Sequence, residues 1–208
     1  MKCRVVNTEL EQLLRTDHRI WRGNVAGNLP VVATGFPELD QLLPGGGWPT
    51  HALMEIRVST WGIGELRLLL PAMRFLNRED RWLSWIAPPF EPYAPALCRD
   101  GLDLRRVLVI DTRGSEADLW WSMEKLLRHP ATGLVMGWPQ RVQPAVLRRL
   151  QLAAEEGGTI GVLFHRESIA STPAALRIAL APVESGLEVR VLKVRGGFGG
   201  AAVRVVLD

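Results

Sequence analysis

The chain has 208 residues, of which 47% are hydrophobic and 23% are charged. This balance is typical of one soluble globular domain, and it excludes a largely disordered chain or a multi-domain assembly. The 25 basic and 22 acidic residues leave a net charge of +3, which is too small to indicate a nucleic-acid partner.

The numbers of particular residue types restrict the class of protein further. Two cysteines, Cys3 and Cys98, are too few for a disulfide framework or a four-ligand zinc site. Because we find neither a membrane-length apolar stretch nor the apolar core of a signal peptide, we expect a cytoplasmic protein without a membrane partner. Eight tryptophans and a strong arginine bias fit either a high-GC genome or an interaction surface. Trp82 and Trp85 share one strand-like run and are expected in the core.

The beginning of the chain is predicted to be separate from the core. Residues 1–33 form an N-terminal segment with a short helix over 8–15, which has a capping pattern, followed by an irregular stretch. Trp21 and Arg22 lie in that stretch. The core domain is predicted over residues 34–208.

Apolar runs alternate with amphipathic helices in the core. Strands are predicted at 52–58, 81–87, 106–110, 133–137 and 159–164, and helices at 34–43, 65–78, 115–128 and 144–156. This order predicts an α/β fold with a mostly parallel sheet flanked by helices on both faces. Three short strands in succession after Ala174 predict an antiparallel meander at one edge of the sheet.

The turn after the first of these strands occupies the position of a phosphate-binding loop. Such a loop reads G-x-x-x-x-G-K-[ST], but here only the second glycine has a counterpart. Glutamate replaces the lysine that neutralises phosphate, and leucine replaces the hydroxyl that binds Mg²⁺. The glutamate instead suits the N-terminus of the following helix. We therefore expect no nucleotide, metal or other cofactor. The degenerate loop comprises Ser59, Gly62, Gly64, Glu65 and Leu66.

Two segments, TGFPELDQLLPGGGWP at 34–49 and GIGELRLLLPA at 62–72, resemble the ImuA family of translesion-synthesis accessory proteins, which overlaps with SulA-like division inhibitors. The resemblance extends from about Trp21 to the C-terminus. It implies a RecA-like fold without a working nucleotide loop. It also implies three partners in the bacterial SOS response: an ImuB-like Y-family polymerase homologue, RecA, and an error-prone DnaE-type polymerase.

Comparison with the RecA pattern predicts further losses. The strand at 133–137, which corresponds to the Walker B strand, has no carboxylate. The acidic residue expected after the preceding strand falls at Pro88 and Pro89. We thus expect the chain to lack four groups that a RecA-like ATPase uses: the loop lysine, the loop hydroxyl, the Walker B acid and the catalytic acid. The chain is therefore not expected to be an enzyme.

Five residues are candidates for partner binding. One of Trp21 and Trp48, which lie in irregular segments, is expected at an interface together with Arg22. Lys193 and Arg195 lie in a segment that resembles the RecA strand reaching a neighbouring subunit. They indicate either a docking edge in a homo-oligomer or edge-strand charges that discourage aggregation.

Direct contact with DNA is left open. The loops that correspond to the DNA-binding loops of RecA, at 139–143 and 165–173, are short. Four arginines near them form either a DNA-facing patch or a solvated surface. These residues are Arg141, Arg148, Arg149 and Arg166.

The sequence therefore favours a non-catalytic adapter in SOS-induced translesion DNA synthesis. A SulA-like inhibitor of cell division, acting on FtsZ, is the first alternative. A residual RecA-like ATPase is the second.

Overall fold

The computed structural model describes residues 30–167, 172–195, 197 and 199–207. The predicted helix over 8–15 lies outside these residues, as do Trp21 and Arg22. The division of the chain after residue 33 therefore stays a prediction. Among the described residues, none of the helices is both long and apolar enough to cross a bilayer.

Strands and helices alternate as the sequence predicts. The strands are β1 (Val31–Val32), β2 (Trp48–Pro49), β3 (Ala52–Val58), β4 (Trp82–Ile86), β5 (Val107–Ile110), β6 (Thr132–Gly137), β7 (Ile160–His165), β8 (Leu176–Val183), β9 (Gly186–Val194) and β10 (Ala202–Val206). The α-helices are α1 (Pro37–Leu42), α2 (Glu65–Arg78), α3 (Ala94–Arg99), α4 (Glu116–Arg128) and α5 (Pro144–Gly157).

Eight of the strands form one sheet in the order β10-β9-β8-β3-β7-β6-β4-β5, and β1 and β2 form a separate ribbon. The pairs from β8 through β5 are parallel, whereas β8, β9 and β10 are antiparallel. The predicted α/β class is confirmed, including the C-terminal meander at one edge.

Local signals explain where the long helices begin and end. The hydroxyl of Ser115 accepts the N–H of Asp118 at 3.2 Å and caps the first turn of α4. Pro144 occupies the first turn of α5, where its missing N–H costs nothing. Gly158 adopts a left-handed conformation and ends α5.

Two apolar clusters cover the two faces of the sheet. One packs α1 and α2 against the sheet and contains Trp48 and Trp85. The other lies under α4 and α5 and contains Leu53 and Leu163. Side chains alternate along a strand, so Glu55 lies on the same face as Leu53, the face that carries α4 and α5.

Two expectations about tryptophan need correction. Trp82 is 39% exposed, whereas Trp85 is fully buried. The two residues are three positions apart and so point to opposite faces of β4, which makes the expectation of two core residues wrong for Trp82. Trp48 is also fully buried. It is therefore a core residue, so the expectation that one of Trp21 and Trp48 lies at an interface now depends on Trp21, which is outside the described residues.

Candidate functional site

A carboxylate of the chain itself fills the degenerate phosphate loop. Glu65 Oε1 accepts the backbone N–H of Gly62 at 2.9 Å, and Oε2 accepts the N–H of Gly64 at 3.1 Å. Both glycines have positive φ angles, +81° and +105°, and Glu65 is only 6% exposed. In a working loop such N–H groups bind phosphate oxygens. Here an internal anion takes the position of the phosphate.

The rest of the loop is equally unsuited to phosphate chemistry. Leu66 stands where a hydroxyl would bind Mg²⁺, and it packs against the apolar cluster under α2. Glu65 is the first residue of α2, so its charge complements the positive end of the helix dipole. The geometry therefore stabilises a strand-to-helix turn.

A cleft of about 920 Å³ opens beside this loop, at the carboxyl ends of the parallel strands. Segments that follow β3, β4, β5, β6 and β7 all contribute to its walls. This edge is where open α/β sheets bind their ligands. Its aromatic and proline lining includes Trp61, Pro88, Pro89 and Trp138.

Three carboxylates line this cleft, two of them after β5 and one after β7. Asp111 follows β5 and is exposed, and Glu116 begins α4. Glu116 Oε1 accepts the N–H of Gln140 at 2.6 Å, while its buried Oε2 has no hydrogen-bond partner among the described residues. Glu167 also lines the cleft and accepts the N–H of Val142 at 3.1 Å. The cleft therefore contains acidic side chains, although the two positions expected to carry catalytic acids lack them.

A smaller groove of about 320 Å³ adjoins the cleft and is basic. Ser59 and Arg166 line both. Arg57 on β3 and Arg190 on β9 line the groove but not the cleft. Both arginines pair in register with Ala179 on β8. The guanidinium of Arg166 lies 5.8 Å from the ring centroid of Trp61, at cation–π distance.

A buried ionic cluster lies next to the groove, on the same strands. His165 Nε2 is 3.2 Å from Glu55 Oε2, and Arg177 Nε is 3.7 Å from the same oxygen. All three side chains are at most 10% exposed. Glu55 Oε1 has no hydrogen-bond partner among the described residues. The cluster joins β3, β7 and β8, and Lys193 on β9 lies in register with Arg177 beside it.

The protein-family model described as cell division inhibitor SulA matches residues 55–161, more than half of the 208 residues. The chain belongs to the SulA/ImuA family. The match begins in β3 and ends in β7, so it contains the degenerate loop and most of the cleft.

Some of the relatives are named SulA and others are named ImuA. The chain is 29% identical over 103 residues to cell division inhibitor SulA of Photorhabdus laumondii, covering 50% of this chain and 58% of that protein. It is 28% identical over 142 residues to protein ImuA of Caulobacter vibrioides, covering 66% and 58%. The crystal structure of SulA from Pseudomonas aeruginosa is 26% identical, with a TM-score of 0.44, over 54% of this chain and 98% of that chain. The chain thus spans 58% of the length of the two curated relatives.

Lys193 and Arg195, the two charged candidates for partner binding near the C-terminus, do not lie at an edge strand of the sheet. Strand β9 pairs with β8 on one side and β10 on the other. Lys193 Nζ donates to the carbonyl of Thr172, and Arg195 lies 3.3 Å from Glu155. Burial lowers the pKa of Lys193, against the opposing effect of the Glu55 carboxylate. Both cations bind within the chain, so the edge-strand interpretation is wrong.

The four arginines of the predicted DNA-facing patch divide between different surroundings. Arg149 on α5 pairs with Glu124 on α4 at 3.0 Å. The guanidinium of Arg166 lies over the ring of Trp61 in the cleft. Arg141 and Arg148 are exposed. Two of the four thus have partners within the chain.

Sequence analysis missed several exposed aromatic side chains. Phe90 is 70% exposed, Tyr93 72% and Trp121 62%. Trp121 follows the buried Trp120 on α4, and the two neighbours point to different sides of the helix. For Phe90 and Tyr93 the available signal was their place between the prolines that follow β4. The cleft acid Glu116 was signalled by its position directly after the Ser115 cap.

Proposed function

We propose that this chain is a non-catalytic RecA-like adapter in SOS-induced translesion DNA synthesis. It binds an ImuB-like Y-family polymerase homologue, RecA and an error-prone DnaE-type polymerase. The observation that carries the proposal is the Glu65 carboxylate, which occupies the N–H groups of Gly62 and Gly64 where a nucleotide phosphate would bind. The similarity to a protein named ImuA over 142 residues supports the choice of pathway.

The charge of the cleft also supports a role without nucleotide. Asp111, Glu116 and Glu167 line the space that a nucleotide would enter. They would repel a triphosphate in addition to Glu65. The walls of the open cleft include Trp61, Trp138 and Arg166, and tryptophan and arginine are enriched in protein-binding surfaces.

Affinity capture with purified proteins tests the adapter function. The chain, immobilised through a C-terminal tag, is mixed with each of the three proposed partners from the same genome, with and without Mg·ATP. We expect capture of the Y-family homologue and RecA in both conditions. Capture of none of the three would overturn the proposal.

A second candidate function is inhibition of cell division through FtsZ. The match of residues 55–161 to the model described as cell division inhibitor SulA favours it. Sedimentation of FtsZ polymers with GTP and increasing amounts of the chain distinguishes the two functions. An adapter leaves the pelleted fraction unchanged, whereas an inhibitor reduces it at stoichiometric amounts.

A further inference from the structure

The cleft and the basic groove adjoin, with the carboxylates after β5 at one end and the arginines of the groove at the other. They meet at Ser59 and Arg166, which line both. We propose that this dipolar cleft binds an extended segment of a protein partner, with acidic side chains over the arginines and a basic side chain at the carboxylates. The proposal rests on the adapter function and names the surface through which the adapter acts.

The basic end is built to receive carboxylates on a peptide. Arg57 and Arg190 flank Ala179 in register on three neighbouring strands. Neighbouring strands are roughly 4.8 Å apart, which places the backbones that carry the two arginines about 10 Å apart. The small alanine between them leaves room for a polypeptide to approach the sheet. Guanidinium groups bind carboxylates with paired hydrogen bonds, so Asp or Glu side chains suit this end.

The acidic end is built to receive a long cationic side chain. The lining of this end carries two carboxylates, Asp111 after β5 and Glu116 at the start of α4, and their negative charge attracts a cation. Asp111 lies exposed on the same side of the cleft. Trp61 and Trp138 supply apolar walls for the methylene stem of a lysine or arginine.

The alternation of charge favours a polypeptide over a nucleic acid. A nucleic-acid strand carries a phosphate at every nucleotide, so a strand that filled both spaces would place phosphates against Asp111 and Glu116. A polypeptide can place either charge where it is needed.

Charge reversal in the capture assay tests the assignment. We expect the double variant Arg166→Glu/Arg190→Glu and the single variant Asp111→Lys each to weaken partner binding about tenfold or more. The matched control Arg78→Glu reverses an exposed charge at the end of α2, away from the cleft, and should change affinity less than about twofold. The neutral pair Arg166→Gln/Arg190→Gln repeats the test without adding negative charge.

A zero-length carbodiimide cross-link adds a readout of position. It should join a partner lysine to Asp111 or Glu116, and peptide mass spectrometry should locate both ends. Cross-links confined to other carboxylates would overturn the assignment.

The outcomes separate the two proposals. If the unaltered chain captures none of the three proteins, both fail. If the unaltered chain and the cleft variants capture a partner equally, only the dipolar cleft fails. Loss of binding to a dT25 oligonucleotide in the same variants would assign the cleft to nucleic acid and overturn a protein segment. Dissociation of a dimer by these variants, seen in sedimentation velocity, would assign it to a second copy of the chain.

Discussion

The carboxylate of Glu65 accepts the backbone N–H of Gly62 at 2.9 Å, across the turn that would hold phosphate in a nucleotide-binding relative of this fold. This one contact turns an anion-binding loop into a self-contained structural element. It explains how the turn keeps its two left-handed glycines without a ligand. The loop N–H groups are already bound within the chain.

Removal of this carboxylate should destabilise the fold. Glu65→Ala leaves the N–H groups of Gly62 and Gly64 without their acceptor and opens a small cavity, so we expect a loss of about 1–3 kcal/mol in the free energy of unfolding. Urea denaturation measures it, with the exposed Glu91→Ala as control. Equal stability of Glu65→Ala and the unaltered chain would show that the contact does not stabilise the loop.

The two glycines of the loop should tolerate alanine differently. A Cβ at Gly64 would lie 2.5 Å from the Leu207 side chain, whereas a Cβ at Gly62 would meet nothing within 4 Å. Both have positive φ, so Gly62→Ala should cost about 1 kcal/mol and Gly64→Ala more. Adding Leu207→Ala should narrow the difference between them. Equal costs for the two glycine variants would contradict this packing.

Glu55 should be the most sensitive member of the buried ionic cluster. Glu55→Ala leaves the buried cation Arg177 and the His165 ring without their shared carboxylate, so we expect a loss of about 3–5 kcal/mol. Replacing both Glu55 and Arg177 with leucine should cost less than the single change. Thermal and urea unfolding of Glu55→Leu, Arg177→Leu and the double variant measures this coupling, and additivity of the two single changes would contradict it.

The fold could be predicted from the sequence because its signals are local. Apolar runs indicated the strands from β3 to β10, and helical periodicity indicated the long helices between them. Ser115 and Pro144 indicated where two of these helices begin. The burial of Trp48 could not be predicted in this way. Its surroundings are Gly/Pro-rich, and only the packing of α1 and α2 on the sheet shows that it belongs to the core.

Tryptophan variants should separate the core from the surface. Trp48 is fully buried and Trp121 is 62% exposed. We expect Trp48→Ala to cost about 3–5 kcal/mol, because a large core side chain leaves a cavity. Trp121→Ala should change stability by less than about 0.5 kcal/mol. Urea denaturation compares the two, and the reverse order would refute the burial described here.

Lys193 should make stability depend on pH above neutrality. Burial lowers its pKa in the folded chain below 10.5, and Arg177 and Arg195 lower it further against the effect of Glu55. Between the lowered pKa and 10.5 the unfolded chain binds more protons, so the free energy of unfolding rises with pH. Relative to Lys193→Met, the unaltered chain should gain stability as the pH rises from the lowered pKa toward 10.5. A constant or falling difference in urea unfolding would contradict this direction.

The candidate site was harder to predict than the fold, because its parts are distant in sequence. The missing lysine and hydroxyl were visible at Glu65 and Leu66. The sequence did not show that Glu65 binds its own loop, because this contact depends on the φ angles of Gly62 and Gly64. The dipolar cleft combines residues after five strands. Only the order of the strands brings Asp111 and Arg166 to the same edge of the sheet.

Calorimetric titration of the purified Y-family homologue into this chain, with and without Mg·ATP, tests the central claim most directly. The account predicts saturable binding with the same affinity in both conditions, and no heat when Mg·ATP alone is added to the chain. Absence of binding to the homologue, or binding that requires ATP, would contradict it.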